Sequence, residues 1–146
     1  MNILLAVDDS SFSRHMLAWL GAHPEWLSPQ HRFAVLHAQT PLPNGLRLLL
    51  DEKQIETRYT TEANEVFRPV RTFLDHHGIQ AEYLHREGPA AEVVVEQATR
   101  WRADLIVMGS RGHSPAGQLA LGSVVARVLA STTVPVLVVP PPREQS

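Results

Sequence analysis

A glycine-bearing segment late in the chain has the residue types that bind phosphate. It runs Gly109-Ser110-Arg111-Gly112, continues for nine residues from His113 to Leu121, and resumes as Gly122-Ser123-Val124. Glycine lets backbone N–H groups approach an anion closely and can adopt positive φ. Gly122 and Ser123 stand where a helix is predicted to begin, and the unpaired N–H groups there favour negative charge. We therefore predict that this segment holds phosphate.

Each of these residues also has a purely structural interpretation. Gly109 could simply end a strand, Gly112 could make a turn, and Ser123 could only cap its helix. Their combination at the end of an apolar strand favours the phosphate site. Two commoner phosphate motifs are excluded, because the only lysine is Lys53 and no Gly-x-Gly-x-x-Gly follows the first apolar run.

A second polar segment, Asp8-Asp9-Ser10, follows the first apolar run. Asp8 could cap a helix or contact a ligand, and its pairing with the glycine segment favours the ligand. Asp9 could repel phosphate or help to hold a metal, and both interpretations stay open. The eight histidines suggest no metal site, since His76 and His77 point about 100° apart on a helix. We predict no catalytic residue and no metal bound by the protein.

Short apolar runs alternate along the chain with helical patterns, which predicts an α/β fold. The expected fold is a single-domain, doubly wound, five-stranded parallel sheet in the order 3-2-1-4-5, with helices on both faces. This order brings the Asp8 and Gly109 segments side by side at the carboxyl ends of their strands, where such sheets bind ligands. The predicted strands are Ile3 to Val7, Arg32 to Ala38, a run from Ile79 to His85, Asp104 to Met108, and Val134 to Val139. The predicted helices carry Met16 to Leu20, about Leu46 to His77, Ala91 to Ala98, and Ser123 to Ser131.

Composition restricts the classes of function. The 146 residues fit one domain, 1–146, and 44 % hydrophobic against 19 % charged residues is ordinary for a globular protein. A net charge of −2 with scattered arginines gives little support for nucleic-acid binding. The chain has no cysteine, and its apolar start is too short to span a bilayer. We expect a cytoplasmic protein with neither nucleic-acid nor membrane partners.

The spacing Gly109-x2-Gly112-x9-Gly122-Ser123 resembles the ATP-binding signature of the universal stress protein family. The opening Ile-Leu-Leu-Ala-Val-Asp-Asp-Ser and the closing Val-Pro-Val-Leu-Val-Val are similar to that family too. The resemblance implies that Ala6 and Val7 line a base pocket, that Asp8 meets the ribose or adenine, and that Ala38 flanks the adenine. It further implies that Met108 borders the nucleotide and that Val124 donates a backbone N–H near the phosphates. Arg111 is a further candidate for phosphate contact.

The function expected from this resemblance is an ATP-binding regulatory or stress-response module with at most slow hydrolysis. AMP or ADP could be the resident nucleotide, and Mg²⁺ would arrive with it. An ATP-dependent enzyme on the same fold and a protein that interacts without nucleotide are the alternatives. A homodimer joined through Val134 to Val139 is also expected, because that apolar run lies at the sheet edge.

Overall fold

The computed structural model describes residues 1–111 and 121–142, in which helices and strands alternate along the chain. The strands are β1 (Asn2–Ala6), β2 (Arg32–Gln39), β3 (Ala81–Glu87), β4 (Leu105–Gly109) and β5 (Val136–Val139). The helices are α1 (Ser11–Ala22), α2 (Asn44–Arg47), α3 (Glu52–His76), α4 (Ala90–Arg100) and α5 (Ser123–Ser131), with a short 3₁₀ helix at Pro24–Leu27.

The five strands form one parallel sheet in the order β3-β2-β1-β4-β5, which confirms the predicted order. β1 lies at the centre, and its last residue, Ala6, pairs with Leu36 of β2 on one side and Met108 of β4 on the other. The chain winds outward from β1 through β2 to β3, then returns to β4 on the opposite side. This reversal leaves a crevice beyond the end of β1, the usual ligand position in such sheets.

Helices cover both faces of the sheet and create two hydrophobic layers. Leu5 and Val35 pack in the layer that contains α1 and α3. Leu4 and Ile106 point the other way, into the layer that contains α4 and α5. Because the inner strands are buried on both faces, each contains a run of consecutive apolar residues rather than an alternating pattern.

The structure corrects the prediction of one helix from about Leu46 to His77, because two helices, α2 and α3, occupy this range. Asp51 caps α3 by accepting a hydrogen bond from the Gln54 backbone N–H at 2.7 Å, and the Gln54 side chain accepts one from the Asp51 N–H at 3.0 Å. This reciprocal capping box fixes a new helix start. Pro69 lies inside α3, which continues through it to His76. Gly78, with φ +69°, follows the helix end as expected.

Two strands, β3 and β5, begin two residues later than predicted. β5 begins at Val136 rather than Val134, because the Val134 N–H bonds to the Thr132 hydroxyl at 3.0 Å instead of joining a strand. β3 begins at Ala81, since the N–H of Ile79 is used to close α3 by bonding to the carbonyl of Leu74 at 2.9 Å. Neither shift changes the topology.

No helix in the described part of the chain combines the length and apolar character needed to cross a membrane. The longest, α3, has 25 residues, and charged side chains recur along it.

Candidate functional site

A cavity of about 300 Å³ lies in the crevice beyond the end of β1. Its walls come from the carboxyl ends of β1, β2 and β4, the first turns of α4 and α5, and a side chain of α3. Ten of the eleven residues predicted to bind the nucleotide line this cavity. They are Ala6, Val7, Asp8, Ala38, Met108, Gly109, Arg111, Gly122, Ser123 and Val124. The eleventh, Gly112, lies outside the described residues, and contact of any of them with a ligand stays a prediction.

One wall of the cavity is apolar. Leu36 and Met108 belong to the buried layer beneath α4 and α5, and Ala6, Ala38 and Val124 pack against that layer. A cavity lined by small and apolar side chains at strand ends suits a flat, weakly polar group, while polar atoms at its rim fix orientation.

Asp8 forms a compact polar turn at the other side of the cavity. Its Oδ1 accepts hydrogen bonds from the Ser10 N–H at 2.9 Å, from the Ser10 hydroxyl, and from the Ser13 hydroxyl at 3.0 Å. The Ser13 oxygen in turn accepts from the Asp8 N–H at 2.9 Å. Within residues 1–111 and 121–142, these hydrogen bonds use only Oδ1, so Oδ2 is the oxygen that could meet a ligand.

The helix-capping interpretation of the Asp8 segment is wrong in its detail. The N-cap of α1 is Ser10, and its side chain makes no capping hydrogen bond. The Asp8 carboxylate instead bonds to the Ser10 N–H, outside the helix. This contact is an Asx-type turn, in which an aspartate side chain organises the backbone two residues on.

Gly109 is required by close packing rather than by an unusual backbone angle. A Cβ built on it would lie 2.9 Å from the backbone oxygen and from the Cβ of Phe12 in α1. Among the described glycines, those with positive φ are Gly78 and Gly88. The expected use of positive φ therefore does not apply to Gly109, whose role is to let α1 approach the end of β4 closely.

Gly122 closes the loop against β4 and caps α5. Its φ of −62° and ψ of 154° are those of an N-cap, and its N–H donates to the carbonyl of Ser110 at 2.9 Å. A Cβ on Gly122 would meet the Cα of Arg111 at 3.0 Å. Ser123 is consequently the first helical residue rather than the cap. The N–H groups of the first helical turn have no partner within the helix, and the residues that carry them line this cavity.

Arg111 packs beside the site, with its guanidinium 5.7 Å from the centre of the Phe12 ring. This is within the range of a cation–π contact. The same α1 residue thus contacts both Gly109 and Arg111, and the packing of α1 positions the start of the glycine segment.

The sequence missed several lining residues, including Ser13, His37 and Glu62. Ser13 reaches the site through α1, and Glu62 through α3, so neither adjoins a predicted motif in sequence. His37 did carry a signal, because it is a polar residue that follows the apolar run of β2, but it was not among the residues predicted to bind the nucleotide. It is only 6 % exposed. The described residues contain no cluster of three metal-ligating side chains.

Comparison with known proteins agrees with this architecture. The model of the universal stress protein family matches residues 1–140. A universal stress protein of Thermus aquaticus is 35% identical over 138 residues, covering 94% of this chain and 96% of that protein. Another, MJ0531 of Methanocaldococcus jannaschii, is 36% identical over 84 residues, which are 58% of this chain and 49% of that protein.

Solved structures share the fold. The structure of MJ0577 from Methanocaldococcus jannaschii aligns with a TM-score of 0.79 and 25% identity, covering 99% of this chain and 97% of that one. An Arabidopsis thaliana universal stress protein with AMP bound aligns with a TM-score of 0.70 and 14% identity, covering 97% and 92% of the two chains. With the match to the family model and the full-length Thermus relative, these findings place the chain: it belongs to the universal stress protein family.

Proposed function

We propose that this chain binds an adenine nucleotide, ATP foremost and ADP or AMP otherwise, and that it acts as a nucleotide-dependent regulatory or stress-response module. The observation that carries the proposal is that the end of β1, the end of β4 and the first turn of α5 line one cavity. Fold similarity alone would not support a ligand. The cavity adds an apolar wall that suits a base and, at the start of α5, backbone N–H groups that suit phosphate.

The phosphate end of the nucleotide is assigned to α5. Gly122 exposes the helix start, and the N–H groups of Ser123 and Val124 in the first turn favour an anion through hydrogen bonding and the helix dipole. The Ser123 hydroxyl supplies a further donor at the same point. Gly109 lets α1 pack against the end of β4, and Gly122 lets the start of α5 pack against Arg111, so both glycines support the backbone around the proposed phosphate position.

The nucleoside end is assigned to β1 and β2. Asp8 keeps one carboxylate oxygen outside its internal bonds, which suits the two hydroxyls of a ribose. Ala6, Val7 and Ala38 leave a shallow apolar slot at the strand ends that suits a planar base. The Arabidopsis relative, whose structure holds AMP, supports the same class of ligand by analogy of fold.

We infer that the output is binding rather than turnover, in a cytoplasmic homodimer. Mg²⁺ would be carried by the nucleotide, with oxygens of its phosphates as ligands. The alternative is an ATP-dependent transferase or a slow ATPase in which Asp8 or Asp9 coordinates Mg²⁺. Phosphate release measured with and without a panel of acceptors separates the two. A rate above about one turnover per second, lost in Asp8→Asn, would favour the enzyme.

The proposal is tested by calorimetry of the nucleotide-free protein with ATP, ADP and AMP. We expect ATP to bind at micromolar concentration or tighter, which corresponds to about −8 kcal/mol. Ser123→Ala should weaken ATP binding by roughly 1 to 3 kcal/mol through loss of a charge-assisted hydrogen bond. Ser131→Ala, at the exposed far end of the same helix, is the matched control and should bind like the parent.

The three nucleotides separate the phosphate and nucleoside contributions. If the α5 start holds the terminal phosphates, Ser123→Ala should weaken ATP more than AMP. No heat and no thermal shift with any of the three at millimolar concentration would refute nucleotide binding. Mass spectrometry of small molecules released on denaturation would identify a ligand retained through purification.

A further inference from the structure

His37 makes a contact that the proposed nucleotide site does not yet use. It lies on β2 between Leu36 and Ala38, and its ring packs on the opposite side of the sheet from those two, against Phe67 of α3. Its Nδ1 is 3.1 Å from the backbone oxygen of Val7, the residue that follows β1. A carbonyl oxygen only accepts hydrogen bonds, so Nδ1 must carry the proton and donate.

The Val7 carbonyl would ordinarily have a different partner. The ladder between β1 and β2 ends with the pair Ala6 and Leu36, and its last bond runs from the Val7 N–H to the Leu36 carbonyl at 2.9 Å. In a continued parallel ladder, the next bond would run from the Ala38 N–H to the Val7 carbonyl. The His37 side chain donates to that carbonyl instead.

We propose that His37 is a positioning residue that frees the Ala38 peptide group for ligand by satisfying the Val7 carbonyl in its place. Strand alternation turns the N–H and C=O of Ala38 toward the β1 side, where the chain departs toward Asp8. The N–H donor and the C=O acceptor of Ala38 adjoin the apolar slot. Together they form the pair needed to bind the edge of a base. The inference rests on the proposed function, because it assigns this peptide group to the nucleoside end.

The surroundings of His37 hold its ring in this orientation. The ring meets Phe67 edge to face, with centroids 6.4 Å apart at 87°. Its Nε2 is buried without a hydrogen-bond partner among the described residues. The nearest carboxylate oxygen, Glu62 Oε1, is 3.9 Å away, which is too long for a hydrogen bond. Val7 is therefore the partner that defines the tautomer and the position of the ring.

Two substitutions separate the donor at Nδ1 from the bulk of the ring. The side-chain amide of Asn can place its nitrogen near the position of Nδ1, so His37→Asn should keep the bond to Val7. His37→Leu removes it. We expect His37→Asn to bind ATP and AMP within about threefold of the parent and His37→Leu to bind both about tenfold more weakly, the scale of one hydrogen bond.

The matched control is His85→Leu. His85 pairs with His37 across β2 and β3, and its Nδ1 also makes one hydrogen bond, to Gln39 Oε1 at 3.1 Å. It is absent from the lining of the nucleotide cavity. His85→Leu should therefore leave nucleotide affinity unchanged, which separates a specific effect of His37 from the general effect of removing a hydrogen-bonded histidine from the sheet.

Two measurements on the nucleotide-free protein decide the inference independently of binding. Nitrogen-15 NMR of the parent should show His37 as the Nδ1–H tautomer, and the Ala38 amide should exchange with solvent faster than the Leu36 amide. In His37→Leu, the Ala38 N–H can close onto Val7, so its exchange should slow. The Nε2–H tautomer, a protected Ala38 amide in the parent, or full affinity in His37→Leu would each overturn the proposal. A parent that binds no nucleotide would refute the proposed function while leaving these NMR results to judge the role of His37.

Discussion

At the scale of single residues, the site depends on backbone groups that side chains hold in place. Asp8 is fixed by Ser10 and Ser13, and Gly109 is fixed by its contact with Phe12. Such contacts are close and directional, so changes of one or two atoms should have measurable effects.

The contact between Gly109 and Phe12 leads to a stability prediction. Gly109→Ala would place a Cβ 2.9 Å from backbone and side-chain atoms of Phe12, which cannot be relieved by rotating a side chain. We expect a loss of about 1 to 3 kcal/mol in the free energy of unfolding, typical of overpacking. Gly45→Ala is the control, since a Cβ there meets nothing within 4 Å. Urea denaturation measures both, and equal stability of the two variants would contradict the packing argument.

His85 leads to a prediction about pH. Burial, followed by the positive charge of Arg86, lowers the pKa of His85 in the folded protein. The unfolded chain then binds a proton on this residue more readily than the folded chain does. Stability should therefore fall as the pH drops through the unfolded pKa of about 6.5, and the loss should end below the folded pKa.

The variant His85→Asn tests this linkage, because it keeps a donor for Gln39 and does not titrate. When the pH is lowered from about 7.5 to about 5.5, the urea midpoint should fall less in this variant than in the parent. The pKa of Glu87 is lowered, first by its hydrogen bond from Arg47. Its contribution is lost only as the pH falls through that depressed value, below this window. Parallel losses in parent and variant would show that other groups account for the dependence.

At the scale of elements, burial explains which parts of the fold the sequence predicted well. β1, β2 and β4 are covered on both faces, and each contains a run of four apolar residues, which is the pattern of a strand buried on both sides. The single helix predicted from Leu46 to His77 was wrong near its start, where Leu48 and Leu49 lie between α2 and α3. These two residues are 87 % and 79 % exposed, and the capping box of Asp51 begins a new helix just after them.

In the candidate site, too, the residues predicted from local sequence differ from those that only the packing of the fold brings in. Residues that adjoin strand ends or the glycine segment were predicted from sequence, and those that are described line one cavity. His37 and Glu62 were not assigned to it, because their approach depends on how β2 and α3 pack in three dimensions. Local patterns carry no information about the bond from His37 to Val7, which joins residues 30 positions apart.

The start of α3 offers a test of the capping argument. Asp51→Ala removes the side chain that accepts from the Gln54 N–H, and should cost about 1 kcal/mol of stability. Thr60→Ala, at an exposed position inside the same helix, is the control and should be neutral or slightly stabilising because alanine favours helix. Thermal unfolding measures both variants. A neutral Asp51→Ala would mean that packing alone sets the boundary between α2 and α3.

At the scale of the whole molecule, the two edges of the sheet differ in chemistry. β3, at one edge, carries the charged residues Glu82, Arg86 and Glu87, and Glu82 forms an ion pair with Arg32 at 3.0 Å. Charged side chains discourage an edge strand from pairing with another chain. β5, at the opposite edge, consists only of valine and leucine, and three of its four residues are half-buried. The edge open to pairing is therefore β5.

We accordingly predict a homodimer joined along β5, with a mass in solution twice the 16.3 kDa of the chain. The bonds to β4 include those from the Ile106 and Ser110 N–H groups to the carbonyls of Pro135 and Val139. Strand alternation then turns the N–H of Val138 outward, so Val138→Pro removes a donor from the free edge and should shift the protein toward monomer. Val138→Thr keeps that donor and nearly the same volume, and should stay dimeric. Light scattering at micromolar concentration measures all three proteins. A monomeric parent, or a Val138→Pro variant that folds and remains fully dimeric, would place the interface elsewhere, because pairing along this edge requires its outward N–H groups.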